Sequence, residues 1–578
     1  MYNRTYGWVQ NPSDFKKLKL VVQIFDNTSC HYQNLKNNLI KEYIPFEDLR
    51  NSLLKKFNNE IEIFSYMELV GTSKDKTGNT AKKRGDAVAD GIIQVTIEPQ
   101  SSATKGKMWT DNWTSDGYLR WALSLNFVEH DRNTDFCKIT PLGLEFSRSK
   151  NDSIEEKNIL IKALLAYPPA SQVLSVLEEA GKPVTKFYIG DRLGFKGEKG
   201  FTSYGEKNMK EWFCSVSNTE QQKIKSDTEG TSDKYARMIV SWLAKLGLVK
   251  KQSTKIDTDI GTKSGFPEYT ITGPGIYELR KSCGNSSSKK IQKYITWEFL
   301  ATDGANRDYI RTRRAYILKF LKETKSLDTL CQRLSEKGFN DSKTIIINDI
   351  KGLNMIGIRI IINGNKVELK DDLYDFSIPN IAVNKELKDI ALIEKKEKVM
   401  SNTNIPPKYY ELIEIAYNGN RNRDMEILTM DLFTSIYGFS GKLLGGGRRP
   451  DGVIYTNDYG VIIDTKAYSE GYAKNINQED EMVRYIEDNQ QRSVLRNDVQ
   501  WWKCFEADIP DDEFYFMWVS SEFTDSFSQQ LVDTSNRTAT FGAALNVEQL
   551  LYGADNIYNG RMNLSDFKKK IVNKEIIW

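Results

Sequence analysis

Apolar residues at helical spacing recur twice in the front half of the chain. Each time they lead into a break, a short strand, a turn and a returning strand. The first copy runs from Asp116 to Val128, passes a polar turn, and continues as Cys137-Lys138-Ile139-Thr140-Pro141-Leu142-Gly143. The second runs from Asp233 to Val249, carries a longer polar insert, and closes on Tyr269-Thr270-Ile271-Thr272-Gly273-Pro274-Gly275. A period near 3.6 followed by two short extended runs predicts a helix and a β-wing, the layout of a winged helix-turn-helix. A third, looser copy spans Ser326 to Lys370, where helical segments lead into Ile356–Ile362, the turn Asn363-Gly364-Asn365 and Lys366-Val367-Glu368-Leu369.

Polar stretches punctuate these copies. Ser147–Ser153 follows the first, Cys283–Lys290 follows the second, and Ile378-Pro379-Asn380 precedes a charged, helical connector around Lys385–Val399. The expected organisation is therefore 1–150, 151–290 and 291–378, a connector at 379–400, and a last domain at 401–578. A chain of 578 residues exceeds what one core usually supports. No apolar run reaches membrane length, and Met1-Tyr2-Asn3-Arg4 opens no signal peptide. Six scattered cysteines form neither a disulfide framework nor a zinc spacing, which fits a reducing cytoplasm. With only His31 and His130, histidine-based catalysis is nearly excluded.

Charge divides the chain. From Lys385 onward there are 23 lysines and arginines against 31 aspartates and glutamates, a balance of −8 that leaves +11 for the part before it. A basic front half suits a polyanion, whereas an acidic back half binds one poorly unaided.

That acidic half nevertheless holds the equipment for phosphodiester cleavage. Asp451 precedes the apolar stretch Val453-Ile454-Tyr455, and the turn Asn457-Asp458-Tyr459-Gly460 folds it back onto a strand read as Gly460–Tyr468. Period-two alternation points Asp464 and Lys466 the same way and Thr465 the opposite way. Two carboxylates suit Mg²⁺, which binds one or two carboxylates plus substrate phosphate, and the lysine remains to orient or polarise water. An edge hairpin with solvated charges fits the bare pattern equally well.

In a helix-turn-helix the second helix offers its first residues to the base edges. Lys234 and Arg237, at i and i+3, suit the acceptor pair of guanine, and Glu229 suits the cytosine amino group. In the first copy, Asn112 and Trp113 begin the equivalent stretch.

The chain resembles the FokI-type type IIS restriction endonucleases along nearly its whole length. The resemblance is carried by Tyr6–Pro12, Glu68–Thr72, Asp111-Asn112-Trp113, Ser232–Met238, and most closely by Leu444-Gly445-Gly446, Arg449-Pro450-Asp451-Gly452 and Val461–Ser469. It implies three winged-helix-like (α+β) DNA-recognition subdomains joined to an α/β PD-(D/E)xK nuclease domain with a mixed central sheet. It further implies Asp451 and Asp464 as metal ligands and Lys466 as the water-orienting group. Gln10, Asn11, Asn112, Trp113, Glu229, Lys234 and Arg237 become candidate DNA contacts. Asp480 and Arg484 match the family's dimerisation helix and would pair across a two-fold axis with a second copy on DNA; without the resemblance, an intrahelical pair is the simpler reading. Lys82, Lys83 and Arg84, Lys225–Thr228, and Leu443 depart from the pattern. The leading expectation is a Mg²⁺-dependent enzyme (Mn²⁺ substituting) of a bacterial restriction-modification system. It would bind an asymmetric double-stranded site, cut at a fixed distance outside it, and reside in the cytoplasm without a membrane. A DNA-binding regulator with a non-catalytic last domain is the alternative, and a structure-specific repair nuclease the third reading.

Overall fold

A computed structural model describes residues 1–578 apart from 100–105, 215–217, 227, 259–260, 286–289, 303, 305, 381–389 and 525. The chain forms two compact units that interleave in sequence. One comprises Met1–Val184, Lys234–Lys251 and Tyr269–Asn384; the other comprises Thr185–Asp233, Gln252–Glu268 and Lys385–Trp578.

In the first unit the apolar run after Asp116 becomes helix α1 (Asn112–Ser124). It starts before the apolar pattern because Asp111 caps it, accepting from the Thr114 N–H at 2.7 Å. The expected wing follows. Strands β1 (Val128–Asp131) and β2 (Phe136–Ile139) pair antiparallel with Val128 opposite Ile139, and Phe64–Ser65 adds a third strand. The second copy supplies helix α2 (Thr231–Lys245). Its Trp242 stacks on Trp121 of α1 at 4.9 Å, and its indole N–H donates to the Pro12 carbonyl at 2.9 Å. Both rings are fully buried, so this contact combines a large apolar area with a satisfied donor.

The third copy contributes helix α4 (Lys343–Met355) and a wing of β3 (Ile360–Asn363) and β4 (Lys366–Leu369), and helix α3 (Arg307–Phe320) precedes it in the chain. Gly364 turns the wing at φ +59°, a conformation that favours glycine. Arg313 and Arg314 of α3 converge on Asp349 of α4 at 2.7 and 2.8 Å, so these buried charges are paired. Among the described residues no single helix is long and apolar enough to cross a membrane.

The second unit is built on a six-stranded sheet. Its order follows the chain: β5 (Ser440–Leu443), β6 (Gly452–Tyr455), β7 (Gly460–Lys466), β8 (Phe514–Ser520), β9 (Gly542–Asn546) and β10 (Lys574–Glu575). Pairing is antiparallel from β5 to β7 and parallel from β7 to β10, which makes the sheet mixed. A short turn joins β6 to β7 and a longer loop joins β5 to β6, whereas parallel neighbours need crossover connections.

Period-two alternation sends side chains into two cores. Ile454, Val461, Ile463, Met517 and Leu545 join one with helices α5 (Asn422–Leu432) and α8 (Val547–Tyr558). Val453, Ile462, Phe516, Trp518 and Ala544 join the other with helices α6 (Ile476–Gln491) and α7 (Phe527–Thr538). Each large aliphatic side chain so buried contributes about 1.5–3 kcal/mol. Phe187, Tyr204, Trp212, Phe213 and Phe266, from the two inserted segments, pack into the first of these cores. Of the expected connector at 379–400, residues 381–389 lie outside the described residues and those from Ile390 fall in the helix Ile390–Asn402.

Candidate active site

The hairpin that carries Asp451, Asp464 and Lys466 forms as the alternation predicts. The β6–β7 register sets Gly452 against Ile463, so Asp451 and Asp464 stand opposite each other one position beyond the last pair. The turn closes with the Thr456 N–H donating to the Tyr459 carbonyl at 2.9 Å. Asp451 Oδ2 accepts from the Thr465 N–H at 2.7 Å and from Thr465 Oγ1 at 3.0 Å, which holds its carboxylate at the strand end. Lys466 Nζ reaches Asp464 Oδ1 at 2.9 Å and Oδ2 at 2.8 Å. Strand β7 stops at Lys466, short of the expected Tyr468. Ala467 turns its N–H to Asn422 Oδ1 of α5 at 3.2 Å and so leaves the ladder.

Asp464 is 5% exposed. Burial pushes its carboxyl up to about 7, with the Lys466 ammonium opposing and the charges of Asp451 and Glu481 adding to the rise. Burial opposes the Lys466 ammonium too, but Asp464 and Asp451 outweigh it and raise its pKa, so the lysine stays protonated. Glu426 of α5 is likewise pushed up to about 7, by burial and then by Asp451. On the opposite face of the sheet, Tyr485 of α6 is raised to about 12 by burial, Asp464 and Glu481. The site is thus an excess of carboxylate charge around a single ammonium.

That arrangement fits a hard divalent cation. Carboxylate oxygens are the donors such ions take, and Mg²⁺ keeps most of its waters rather than requiring an all-protein cage. Among the described residues no three His, Cys, Asp or Glu side chains converge to hold a metal directly. Two carboxylates with waters completing the shell therefore match the donors present. Sequence reading missed Thr465 as the group that orients Asp451, because alternation showed only that its side chain points away. It also missed Asn422, whose signal is indistinguishable from an ordinary helix-surface asparagine.

The recognition candidates are placed more diversely. Trp113, in the first turn of α1, is 63% exposed, while its neighbour Asn112 is half-buried. Asn11 is exposed, and Gln10 Nε2 reaches the Tyr235 hydroxyl of α2 at 3.5 Å. Lys234 and Arg237 are half-buried in the first half of α2, with Arg237 Nη1 against Met238 Sδ at 3.3 Å. Glu229 is buried and pairs with the buried Lys186. Asp480, on α6, is half-exposed and forms an ion pair with Arg537 of α7 at 2.8 Å. Arg484, one turn on, lies over the Tyr485 ring at 5.4 Å, and among the described residues no ion pair joins it to Asp480.

Four family models match the chain in order. They are the FokI recognition domain subdomain 1 (residues 4–149), subdomain 2 (156–287), the FokI D3 domain (300–365) and the FokI cleavage domain (388–577). The type II restriction enzyme FokI of Planomicrobium okeanokoites is 41% identical over 585 residues, covering 99% of each chain. The type II restriction enzyme StsI of Streptococcus sanguinis is 28% identical over 99% of this chain and 96% of its own. The solved structure of restriction endonuclease FokI bound to DNA matches with a TM-score of 0.90 at 40% identity, over the whole of both chains. A second structure of FokI matches at 0.89. The architecture is therefore three recognition subdomains followed by a cleavage domain with a mixed sheet, and the chain belongs to the FokI family of type II restriction enzymes.

Proposed function

We propose that this protein is a site-specific type IIS restriction endonuclease that hydrolyses phosphodiester bonds outside the duplex sequence it binds. The reading rests above all on the hairpin that brings Asp451, Asp464 and Lys466 together within a FokI-type cleavage domain. Its relative FokI is a type II restriction enzyme, and the FokI structure that it matches is bound to DNA. Intact acidic and basic groups on the hairpin count against the regulator reading.

Enzymes of this class are metal-dependent, and we assign Mg²⁺ to Asp451 and Asp464, with Mn²⁺ substituting. When bound, the ion supplies charge neutralisation at the scissile phosphate. The protein's own groups do the rest. Thr465 fixes the Asp451 carboxylate, Asp464 holds Lys466 in place, and the protonated Lys466 directs positive charge to the phosphate or the attacking water. Water adds to phosphorus and gives up a proton to solvent, the bond to the leaving sugar oxygen breaks, and the departing oxygen takes up a proton from solvent.

The recognition subdomains we place near 1–150, 151–290 and 291–378, with the connector at 379–400 and the cleavage domain at 401–578. Gln10, Asn11, Asn112, Trp113, Lys234 and Arg237 are the DNA-contacting set we favour, with Glu229 engaged only if it parts from Lys186. One site of this kind cuts one strand, so a second copy is needed for a double-strand break, and Asp480 and Arg484 on α6 are its proposed contacts. Among the described residues the six cysteines form no disulfide, which fits a bacterial cytoplasm.

Digestion of a defined plasmid in Mg²⁺, with the product ends sequenced, tests the reading. Wild type is expected to give breaks at a constant offset from one asymmetric sequence. Asp464→Ala is expected to lose cleavage by at least about 10³-fold while retaining site binding in a gel shift. Undiminished cutting by that variant removes Asp464 from the chemistry.

A further inference from the structure

Burial along Tyr6–Pro12 is interrupted at one place. Tyr6, Gly7, Trp8, Val9 and Pro12 are buried, and between them Gln10 is half-buried and Asn11 exposed. Both flanks of that gap are held. On one side the Trp8 ring stacks on Phe299 at 5.0 Å, and its indole N–H donates to the Phe299 carbonyl at 3.0 Å. The Tyr167 hydroxyl donates to the Gly7 carbonyl at 2.7 Å. Gly7 itself adopts φ +99°, and a Cβ there would strike the Phe299 ring at 2.5 Å. On the other side the Pro12 carbonyl accepts from Trp242 and the Ser13 carbonyl from Lys245.

Helix α2 touches both flanks. Tyr235 and Trp242 lie seven residues apart, two helical turns, and so share its buried face. The Tyr235 ring is 5.0 Å from that of Trp8, and Trp242 takes Pro12. At about 100° per residue, Lys234 and Arg237 belong to another face of the helix, and they are half-buried. One polar contact then reaches the gap: Gln10 Nε2 donates to the Tyr235 hydroxyl at 3.5 Å. A phenylalanine would cover Trp8 equally well and bury no hydroxyl, so this oxygen calls for a role beyond packing. A glutamine amide carries two N–H groups and one carbonyl. With one N–H turned to Tyr235, the other and the carbonyl lie side by side for a single base edge, as bidentate recognition requires. An amide free to flip would offer donor and acceptor in either order.

We propose that Tyr235 is a positioning residue for base recognition. Its hydroxyl fixes the Gln10 amide, and its ring on Trp8 holds Gln10 and Asn11 in register with Lys234 and Arg237. This rests on the reading of Gln10 as a DNA contact. Two sets of contacts from segments 225 residues apart then meet the duplex as one preorganised unit, with no side-chain ordering left for the bound state.

The test is selection of randomised duplexes by the full chain in EDTA, with the bound fraction sequenced. It compares wild type, Gln10→Ala, Tyr235→Phe and the double variant, and follows the melting of each. Gln10→Ala is expected to lower preference at one base pair by about 5–150-fold. Tyr235→Phe, which keeps the ring on Trp8, should melt like wild type and relax the same base pair by about 2–10-fold. The double variant should match Gln10→Ala, because the hydroxyl acts only through the amide. Three results overturn the proposal and leave a packing tyrosine: a Tyr235→Phe profile identical to wild type, a loss shared equally by all sequences, or a double variant worse than Gln10→Ala at that pair. If Gln10→Ala itself keeps the wild-type profile, the DNA-contact reading of Gln10 fails and takes this one with it.

Discussion

The β6–β7 hairpin and the start of helix α2 both carry charged residues marked by sequence, and they turn out differently. On the hairpin, Asp451, Asp464 and Lys466 meet because two short strands pair in one register, across a separation that a single turn closes. Around α2, the three charged candidates diverge. Lys234 and Arg237 remain half-open to solvent, while Glu229 is buried against Lys186, a residue 43 positions earlier in the chain. Strand pairing converts local pattern directly into geometry, since a one-residue slip would turn every side chain over. A helix start reveals only which residues share a face, and what packs over that face comes from elsewhere.

The largest effect that probes this contrast is expected from Glu229→Ala. It strands the buried Lys186 ammonium and should lower unfolding free energy by about 3–5 kcal/mol in urea titration, as breaking a buried pair by removing one partner does. Wild-type stability with altered site preference would instead make Glu229 a DNA contact of the kind proposed for Lys234 and Arg237, and the contrast would vanish. Next in size is Arg237→Ala, expected to leave melting unchanged while costing about 1–3 kcal/mol of DNA affinity concentrated at one base pair. An equal loss on every sequence would reassign Arg237 to a phosphate. The smallest is Asp480→Ala. An exposed charge pair is worth about 0.2–1 kcal/mol, so nicked plasmid should accumulate modestly, and only at low enzyme concentration. Strand-scission kinetics that are identical to wild type at every concentration remove Asp480 from the proposed contact between copies.

Much of the fold was legible because it repeats or alternates. The wings after α1 and α4, the β6–β7 hairpin and the two-faced character of β7 follow from periods of 3.6 and 2. What escaped was set by long-range hydrogen bonds and caps. Asp111 starts α1 ahead of its apolar run, and Asn422 ends β7 ahead of Tyr468. Asp480 was read as bonding a partner copy or its own helix, yet here it finds Arg537 on α7, which no spacing along α6 could announce.

By itself the chain determined its elements, the pairing of its catalytic strands and the kind of chemistry two carboxylates and a lysine perform, because these depend on side-chain period and turn type over a few residues. Only the tertiary structure decided which charges are buried, and that 185–233 and 252–268 share a compact unit with the cleavage sheet. Those outcomes depend on surfaces meeting across hundreds of residues, where hydrophobic burial is non-directional and leaves no periodic trace in either segment.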